Sequence, residues 1–407
     1  MSEKQLTQKE IQALEQYLPM WKIVFNQFLQ HKMAVVGLIT ILFFVTIAIL
    51  APVISAVTGL DPNRQNPLAR YQKPGTVAPL GSSQKEEAIL NFENREPQAA
   101  EVLRKALLEK QLVQSLREED ALYDLAFLET SQARAAVQSL QIPEGKKFEK
   151  VLDSFETYHL LGTDDTGRDV FIRLIYGTRV SLGIGVVVAI MATLLGLIVG
   201  SIAGFYGGFV DAALMRITDS LLSLPTIPLL ILMAAIKGRD VLEKMGVSED
   251  VYSSNALLSF TLENEAIIKL VLILLIFSWM TTARLVRGSI LSLKEREFIL
   301  AAKTLGAKDS TIIVRHLFPN VISVILVSVT LKVGDSILFE AAMSFLGLGV
   351  QPPTPSWGNM LFNAQDLIQE APFLAILPGL LILAVTLSFN YLGDGLQDAI
   401  DPKAIRR

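Results

Sequence analysis

The chain has 407 residues, of which 51% are hydrophobic and 19% are charged, with a mean hydropathy of +0.44. Because a soluble domain carries about 25% charged residues, this composition indicates a membrane protein. The net charge of −4 and the lack of cysteine exclude a basic nucleic-acid surface, disulfides and thiol catalysis. His31, His159 and His316 are too scattered for a local metal motif.

Apolar segments of about 20 residues, the length needed to cross a bilayer, determine the predicted architecture. The first follows a polar segment, residues 1–32, and is too long for a signal-peptide core, so we expect it to remain in the membrane. The third is interrupted by Pro225 and Pro228, each of which removes a helix hydrogen bond. The six predicted spans are residues 33–57, 180–204, 221–236, 267–286, 321–339 and 373–391.

The distribution of Lys and Arg predicts the orientation, because short cytoplasmic loops are enriched in both. The loop between the fourth and fifth spans contains Arg287, Lys294, Arg296, Lys303, Lys308 and Arg315. That loop is therefore expected to be cytoplasmic. Counting alternate sides then puts both termini inside and loops 58–179, 237–266 and 340–372 outside.

Residues 80–155 form a long loop whose composition favours helix, since it is rich in Glu, Lys, Gln, Leu and Ala. Pro143-Glu144-Gly145 indicates a break within it. Apolar residues recur there at helical spacing: Val102, Ala106, Val113 and Leu116. We expect two or three amphipathic helices in a small external subdomain, which is either a packed insertion without a ligand site or a docking surface for a partner.

The loop between the fourth and fifth spans carries signals for two short helices joined by a sharp turn. Ser292 and Glu295 have capping-box spacing, which predicts a helix start, and Gly306 can end that helix in the left-handed conformation. Asp309 is placed to cap a second helix that stops before Pro319. The apolar face of the first helix is expected to comprise Phe298, Ala301, Ala302 and Leu305.

Two interpretations fit this helical element. The small side chains of Ala301 and Ala302 let another surface approach closely, and the polar residues Glu297, Lys303 and Lys308 can surround that contact. The element could therefore fill a groove on a partner. Alternatively, it is an amphipathic helix that lies on the lipid surface.

The pattern Glu297-x-x-x-Ala301-Ala302-x-x-x-Gly306 resembles the EAA loop of bacterial ABC importer permeases. In that family the loop is a coupling helix that docks into the nucleotide-binding subunit. The resemblance implies an ATPase-coupling role for this loop and for its residues Glu297, Ala301, Ala302, Lys303 and Gly306.

Four further segments resemble signatures of the oligopeptide/dipeptide/nickel permease group, and specifically of its C-type subunit. They are residues 28–53, LGTDDTGRD at 161–169, SFLGLGVQPP at 344–353 followed by PSWG at 355–358, and LGDGL at 392–396 followed by Asp398 and Asp401-Pro402. The resemblance covers residues 25–57 and 159–402, and the long loop between these ranges departs from the family pattern. Arg168 and Asp169 could pair across the external surface, where an exposed ion pair contributes little free energy.

The resemblance implies an all-α, six-span type I ABC permease fold in a bacterial inner membrane, with a helical extracytoplasmic insertion between spans 1 and 2 and both termini cytoplasmic. Its expected parts are an N-terminal segment 1–32, a first span 33–57, an external loop 58–158, a permease core 159–393 with five spans, and a tail 394–407.

The same resemblance implies the partners. They are a homologous permease subunit in a heterodimer, two ABC ATPase subunits and an external solute-binding protein, in contact with membrane lipid and without nucleic acid. The chain has no G-x-x-x-x-G-K-[ST] phosphate loop. We therefore expect no cofactor on this chain, with ATP and Mg used by the partner ATPase.

Charged residues inside a predicted span mark a second candidate site. Lys332 and Asp335 lie three residues apart in the fifth span, and Glu340 lies near its outer end. A charge at the centre of a membrane helix costs about 2.5–3.5 kcal/mol, so these groups should face the bundle interior or water. They are either pathway-lining residues or, for Lys332 and Asp335, a structural ion pair.

Glycines at four-residue intervals mark one face of the second predicted span. Gly196, Gly200 and Gly204 form a small-xxx-small pattern, which permits two helices to approach closely. We expect a helix to pack on this face, either from the same chain or from a second permease subunit.

The resulting prediction is a non-catalytic permease subunit of an ATP-driven, binding-protein-dependent importer. Oligopeptides or dipeptides are favoured as substrates over nickel, glutathione or another small solute. No nucleophile–base pair can be assembled from the local sequence. Two other classes stay open: an ion- or proton-coupled secondary transporter that uses Lys332 and Asp335, and a membrane assembly or receptor protein whose insertion binds a partner.

Overall fold

The computed structural model describes residues 20–114, 120–234, 236 and 264–400. The chain divides into two compact units. One consists of Met1–Ala51, Tyr176–Gln365 and Ala375–Arg407, and the other of Pro52–Ile175 and Asp366–Leu374. Several predicted features lie outside the described residues: most of the N-terminal segment, Leu116, most of the loop 237–266, and Asp401-Pro402 in the tail.

The described residues are predominantly helical, as predicted. In chain order the helices are α1 Met20–Gln30, α2 Lys32–Thr58, α3 Ser82–Arg95, α4 Pro97–Glu109, α5 Asp124–Phe127, α6 Thr130–Leu140, α7 Pro143–Asp153, α8 Val170–Tyr206, α9 Gly208–Leu222, α10 Thr226–Ala234, α11 Glu265–Leu293, α12 Glu297–Thr304, α13 Asp309–Thr311, α14 Phe318–Phe345, α15 Trp357–Asn363 and α16 Phe373–Ile400. Two short strands accompany them, β1 Thr76–Pro79 and β2 Glu156–His159.

Five helices within the described residues are long and apolar enough to cross a membrane. They are α2, α8, α11, the continuous helix Asp309–Phe345 that contains α13 and α14, and α16. The pair α9 and α10 makes a sixth span if it is counted as one, although it is bent by 84°. The six-span prediction is thus confirmed when α9 and α10 are counted as one span, and α8, α11, α14 and α16 extend beyond the predicted limits.

The bend between α9 and α10 has a local cause at the predicted proline interruption. Pro225 lies in the break between the two helices. Pro228 is the third residue of α10, where the first turn has no intrahelical acceptor for its N–H groups, so a proline is tolerated there. The predicted span 221–236 is therefore the end of one helix and the start of another.

The glycine face of α8 packs against α11 of the same chain. A Cβ atom added at Gly200 would lie 2.5 Å from the carbonyl oxygen of Ala283, and one at Gly204 would lie 2.8 Å from Cβ of Ile290. Real Cβ atoms essentially never approach so closely, so each position requires glycine. The packing prediction is confirmed, and the packing partner is a helix of this chain.

The insertion between α2 and α8 contains more helix than predicted. Four helices of eleven or more residues, α3, α4, α6 and α7, accompany the short α5. The expected break is found just before Pro143: α6 ends at Leu140, Gln141 is left-handed and Ile142 is extended. Pro143 itself is the first residue of α7, where its fixed φ favours helix and its missing N–H costs nothing. The fully buried centre of the insertion includes Ile89, Leu103, Leu107, Leu122, Leu125, Ala133, Phe148, Leu152 and Phe155.

A two-stranded antiparallel sheet, which the sequence analysis missed, joins the two ends of this insertion. Thr76 pairs with His159 and Pro79 pairs with Glu156. Strand β1 precedes α3 and strand β2 follows α7, so the chain enters and leaves the helical insertion through adjacent strands. Strands of four residues are too short to produce a clear alternating pattern.

We predict that Phe148→Ala destabilises the insertion. Phe148 is fully buried and packs edge-to-face on Phe92 with ring centroids 5.1 Å apart. Removing a buried ring should lower the local free energy of unfolding by about 3–5 kcal/mol, which amide hydrogen exchange in the full chain would measure. Phe127, which is 68% exposed, is the matched control, and equal exchange in Phe148→Ala and Phe127→Ala would contradict the prediction.

Candidate functional site

The predicted coupling element, which is the loop between α11 and α14, begins later than expected. Helix α11 continues through Leu293, and Ser292 Oγ donates to the carbonyl of Ser289 at 3.0 Å within its last turn. The chain becomes extended at Arg296, with φ −72° and ψ 145°, and α12 starts at Glu297. The predicted start at Ser292 is therefore wrong, because the apolar pattern of the preceding span carries that helix past the capping signal.

The end of α12 is as predicted. Gly306 has φ +76°, which is favourable only for glycine. The N–H of Ala307 donates to the carbonyl of Ala302 at 3.0 Å, and the N–H of Gly306 donates to Lys303 at 2.9 Å. This pair of bonds is a Schellman ending, which satisfies the last carbonyls of the helix.

The second helix of the loop does not stop before Pro319, contrary to the prediction. Asp309 is the first residue of α13 and not its cap, and a π-helical turn, Ile312–Leu317, joins α13 to α14. Pro319 lies in the first turn of α14. The π turn has wider winding than an α-helix and lies directly before α14. The helix therefore continues past Pro319, although proline has no N–H to donate to a backbone hydrogen bond.

Helix α12 has one buried side and one exposed apolar side. Ile299 is fully buried in a cluster that includes Phe205 and Ile312, and Ala302 packs partly against it. On the other side Phe298, Leu300 and Leu305 are 43%, 50% and 88% exposed. The predicted single apolar face is therefore wrong in detail, because Ala302 lies on the packed side and Phe298 and Leu305 lie on the free side with exposed Ala301.

Cations hold α12 and the end of α11 against the end of α8. Lys303 Nζ lies 5.2 Å from the centre of the Phe205 ring, over its face. Lys294 Nζ donates to the carbonyl of Gly204 at 3.1 Å. These contacts connect α12 and the end of α11 to the end of α8.

Two arginines extend this connection to α9. Arg287 forms a two-pronged pair with Asp211, with 2.6 Å between Nη2 and Oδ2. One turn earlier, Arg284 Nε donates to Asp219 Oδ1 at 3.0 Å. Paired guanidinium and carboxylate groups give a defined geometry, so α9 and α11 are joined along the side that leads to α12.

The predicted pair between Lys332 and Asp335 is not formed in the described structure. Lys332 Nζ instead donates to Thr281 Oγ1 on α11 at 2.7 Å, and Asp335 is exposed. The extended lysine side chain reaches the hydroxyl of the neighbouring helix, which satisfies one of its donors. Thus Lys332 connects α14 to α11, while Asp335 is exposed on α14.

Glu340 is completely buried. Its Oε2 accepts from Ser181 of α8 at 2.9 Å, its Oε1 accepts from Ser344 at 2.8 Å, and Ser356 forms a further hydrogen bond to the carboxyl group. The sequence analysis found the acid but not these three serines. Only Ser344, one helical turn away, carried a signal that could have been recognised.

The same serines organise the segment between α14 and α15. Ser344 Oγ accepts from the N–H of Val350 at 3.1 Å, and Ser181 Oγ accepts from the N–H of Trp357 at 3.2 Å. Ser356 and Asn359 form a reciprocal capping box at the start of α15. The signature at 344–358 is therefore a folded segment anchored on Glu340.

Replacing Glu340 with alanine should loosen this segment. The three hydroxyl groups would lose their shared acceptor, and each buried polar group left without a partner costs about 1–3 kcal/mol. We expect a lower Tm of the purified chain and faster proteolysis between residues 346 and 356, with an intermediate effect for Glu340→Gln, which keeps one carbonyl oxygen. An alanine variant as stable and as resistant as the parent would contradict this role.

The LGTDDTGRD segment is buried, so the prediction of an exposed pair is wrong. Arg168 and Asp169 are each only 4% exposed and pair with other residues. Arg168 Nε donates to Asp164 Oδ2 at 2.6 Å, while Asp169 Oδ2 lies 2.7 Å from His159 Nδ1. The segment folds back on itself, which brings Asp164 next to a residue four positions away.

A glycine in this segment permits close contact with the chain that follows α2. Gly167 has φ +75°, and a Cβ atom there would lie 1.8 Å from the carbonyl oxygen of Asn66. Asp164 Oδ1 also accepts from the N–H groups of Thr166 and Arg168. Within its own unit, the motif is thus held in place by the hydrogen bonds of Asp164 and by the close contact of Gly167 with Asn66.

The five apolar helices and the bent pair α9–α10, with the short helix α12 between two of them, define a multi-pass membrane protein. Residues 196–406 match the family model for the binding-protein-dependent transport system inner membrane component, and residues 19–74 match the N-terminal TM domain of oligopeptide transport permease C. The chain belongs to this family of inner membrane permease subunits of binding-protein-dependent importers.

Curated relatives place the chain within this family. It is 39% identical over 245 residues to the dipeptide transport system permease protein of Alkalihalophilus pseudofirmus. It is 43% identical over 245 residues to the glutathione transport system permease protein of Shigella flexneri serotype 5b. Each match covers 60% of this chain and 72% of the relative.

Proposed function

We propose that this chain is the C-type permease subunit of an ATP-driven importer for short peptides. The exposed apolar side of α12, fixed from behind by the fully buried Ile299, is the observation that carries the proposal. A helix with such a face, packed against side chains of α8, α11 and α14, is suited to receive force from a docked partner. That partner is an ABC ATPase, which binds ATP and Mg, while this chain performs no catalysis.

The proposed contact surface consists of Glu297, Ala301 and Leu305, with Lys303 and Ala302 holding α12 in place and Gly306 ending it. The side of the membrane that carries α12 is then cytoplasmic, with both termini on that side. The part between α2 and α8, residues 58–158, is extracytoplasmic, and residues 159–393 form the permease core. Lys332 and Asp335 face the substrate pathway or the second permease subunit, while Glu340 anchors an external segment.

The remaining partners follow from this assignment. A homologous permease subunit completes a heterodimer, two ATPase subunits dock on the cytoplasmic side, and a solute-binding protein delivers substrate from outside. Peptides are the proposed substrates because the relatives are named for dipeptide and glutathione transport, and glutathione is itself a tripeptide. Competition between a labelled dipeptide and glutathione for uptake would show which of these two substrates is preferred.

Reconstitution separates this function from a secondary transporter. Proteoliposomes containing the assembled importer should accumulate labelled peptide when ATP and the solute-binding protein are supplied. A protonophore that collapses the proton gradient at constant ATP should leave uptake unchanged. Uptake that depends on the proton gradient and does not depend on ATP would overturn the proposal. It would favour ion coupling through Lys332 and Asp335.

A further inference from the structure

A cleft between α3 and α7 of the insertion has no role in the function proposed above. Its floor is apolar and includes Ala88, Phe92 and Val151. Phe92 belongs to the buried core of the insertion, where it packs on Phe148. The shape of the cleft is thus set by the core of the insertion.

The rim of this cleft is strongly basic. Four cations, Arg95, Lys146, Lys147 and Lys150, line it together with a single acid, Glu96. Lys147 Nζ lies 2.9 Å from Glu96 Oε2, and the hydrogen bond and charge of Glu96 raise the pKa of Lys147. The other three cations have no acidic partner among the residues that the structure describes.

The combination of charge and shape limits what can occupy the cleft. The exposed cations favour an anionic group, and the part of the apolar lining that stays accessible favours contact with an apolar side chain. A single inorganic anion would leave the floor exposed. A membrane surface is flat and does not follow a concave site between two helices. A protein segment that carries both kinds of side chain meets both requirements.

We propose that this cleft docks an acidic, partly apolar surface segment of the solute-binding protein. The inference rests on the proposed function, which supplies that partner on the same side of the membrane as the insertion. The cations attract and orient the acidic segment as it approaches, which chiefly raises the association rate. An apolar side chain of the segment covers Phe92 and Val151 once it is docked.

A direct binding experiment uses a fluorescent peptide of alternating glutamate and leucine as the probe. The full chain is held in nanodiscs of neutral phosphatidylcholine, and Kd is measured by fluorescence anisotropy. The cleft variant is Lys146→Glu/Lys150→Glu. The matched control is Arg70→Glu/Lys73→Glu, which makes the same charge change at two exposed cations of the same unit that do not line the cleft.

We expect the cleft variant to weaken peptide binding about tenfold, which corresponds to about 1.4 kcal/mol, and the control to stay within about twofold. Added salt should weaken binding to the parent chain more than to the cleft variant. Equal effects of the two variants, or equal binding of a peptide with glutamine in place of glutamate, would overturn the inference. So would phosphatidylglycerol vesicles that displace the peptide from the parent chain, since they would assign the site to lipid.

The reconstituted importer then tests the partner itself. The cleft variant should need about ten times more solute-binding protein for half-maximal stimulation of ATP hydrolysis, with an unchanged maximal rate. If the binding protein stimulates the parent and the cleft variant equally, this inference alone fails. If it does not stimulate even the parent importer, the proposed function fails and the inference fails with it.

Discussion

ATP-driven uptake should fall at least about tenfold when Leu305 is replaced by aspartate. Leu305 is 88% exposed and follows the last residue of α12, so its side chain contributes almost nothing to folding of the isolated chain. Placing a carboxylate there removes an apolar contact and puts a desolvated charge into the proposed ATPase interface. Uptake and ATP hydrolysis in proteoliposomes measure the effect, and the Tm of the purified chain should be unchanged.

Leu68→Asp is the matched control for this experiment, because Leu68 is also a well-exposed leucine, at 67%, and lies outside the coupling element. Its uptake should stay near that of the parent. If Leu305→Asp transports normally, or if it lowers the Tm as much as the uptake, the exposed side of α12 is not the coupling surface.

The structure also distinguishes substitutions in this element that would test coupling alone from those that would also disturb folding. Ala302→Arg would force a long side chain into the packed side of α12, so lost uptake there would mix coupling with misfolding. Ala301→Arg is cleaner because Ala301 is exposed. Gly306→Pro should also uncouple ATP hydrolysis from uptake, because proline cannot adopt the φ of +76° found there.

Gly200→Leu should have the largest effect on the membrane core. The leucine Cβ would meet the carbonyl oxygen of Ala283 at 2.5 Å, so α8 and α11 must move apart. Forcing side-chain volume into a packed contact costs about 1–3 kcal/mol or more. We expect a reduced yield of folded chain and a lower Tm in detergent or nanodiscs.

Gly183→Leu on the same helix provides the comparison, because no atom lies within 4 Å of a Cβ added at Gly183. This variant should be as stable as the parent when the chain is purified alone. If both leucine variants are equally stable, the glycine face does not determine the packing of α8 on α11.

The membrane architecture could be predicted because hydropathy and proline position carry it directly. Spans of about 20 apolar residues leave few alternatives, since every backbone polar group in the bilayer must be bonded internally. The break at Pro225 could be predicted because proline lacks the N–H that an uninterrupted helix needs. Span limits were less accurate because α8 and α14 continue as helices beyond their apolar parts.

Contacts between distant residues were the part that sequence reasoning missed. Nothing local indicates that Glu340 would meet Ser181, since 159 positions separate them. Similarly, Asp169 pairs with His159 across a turn, although adjacency in sequence suggested a partner in Arg168. Burial reverses the expected importance of such charges, because an exposed pair contributes little and a buried one fixes its neighbours.

The π turn at Ile312–Leu317 fixes the angular phase between the two ends of a 37-residue helix. At 1.5 Å per residue that helix is about 55 Å long. It begins next to α12 and has Glu340 near its other end. The π turn holds one residue more than α-helical winding needs, so it can absorb a one-residue deletion. A deletion between Leu317 and Lys332 would instead rotate everything beyond it by about 100°. Lys332 would then turn away from Thr281, and a push on α12 would arrive at the wrong face of the bundle.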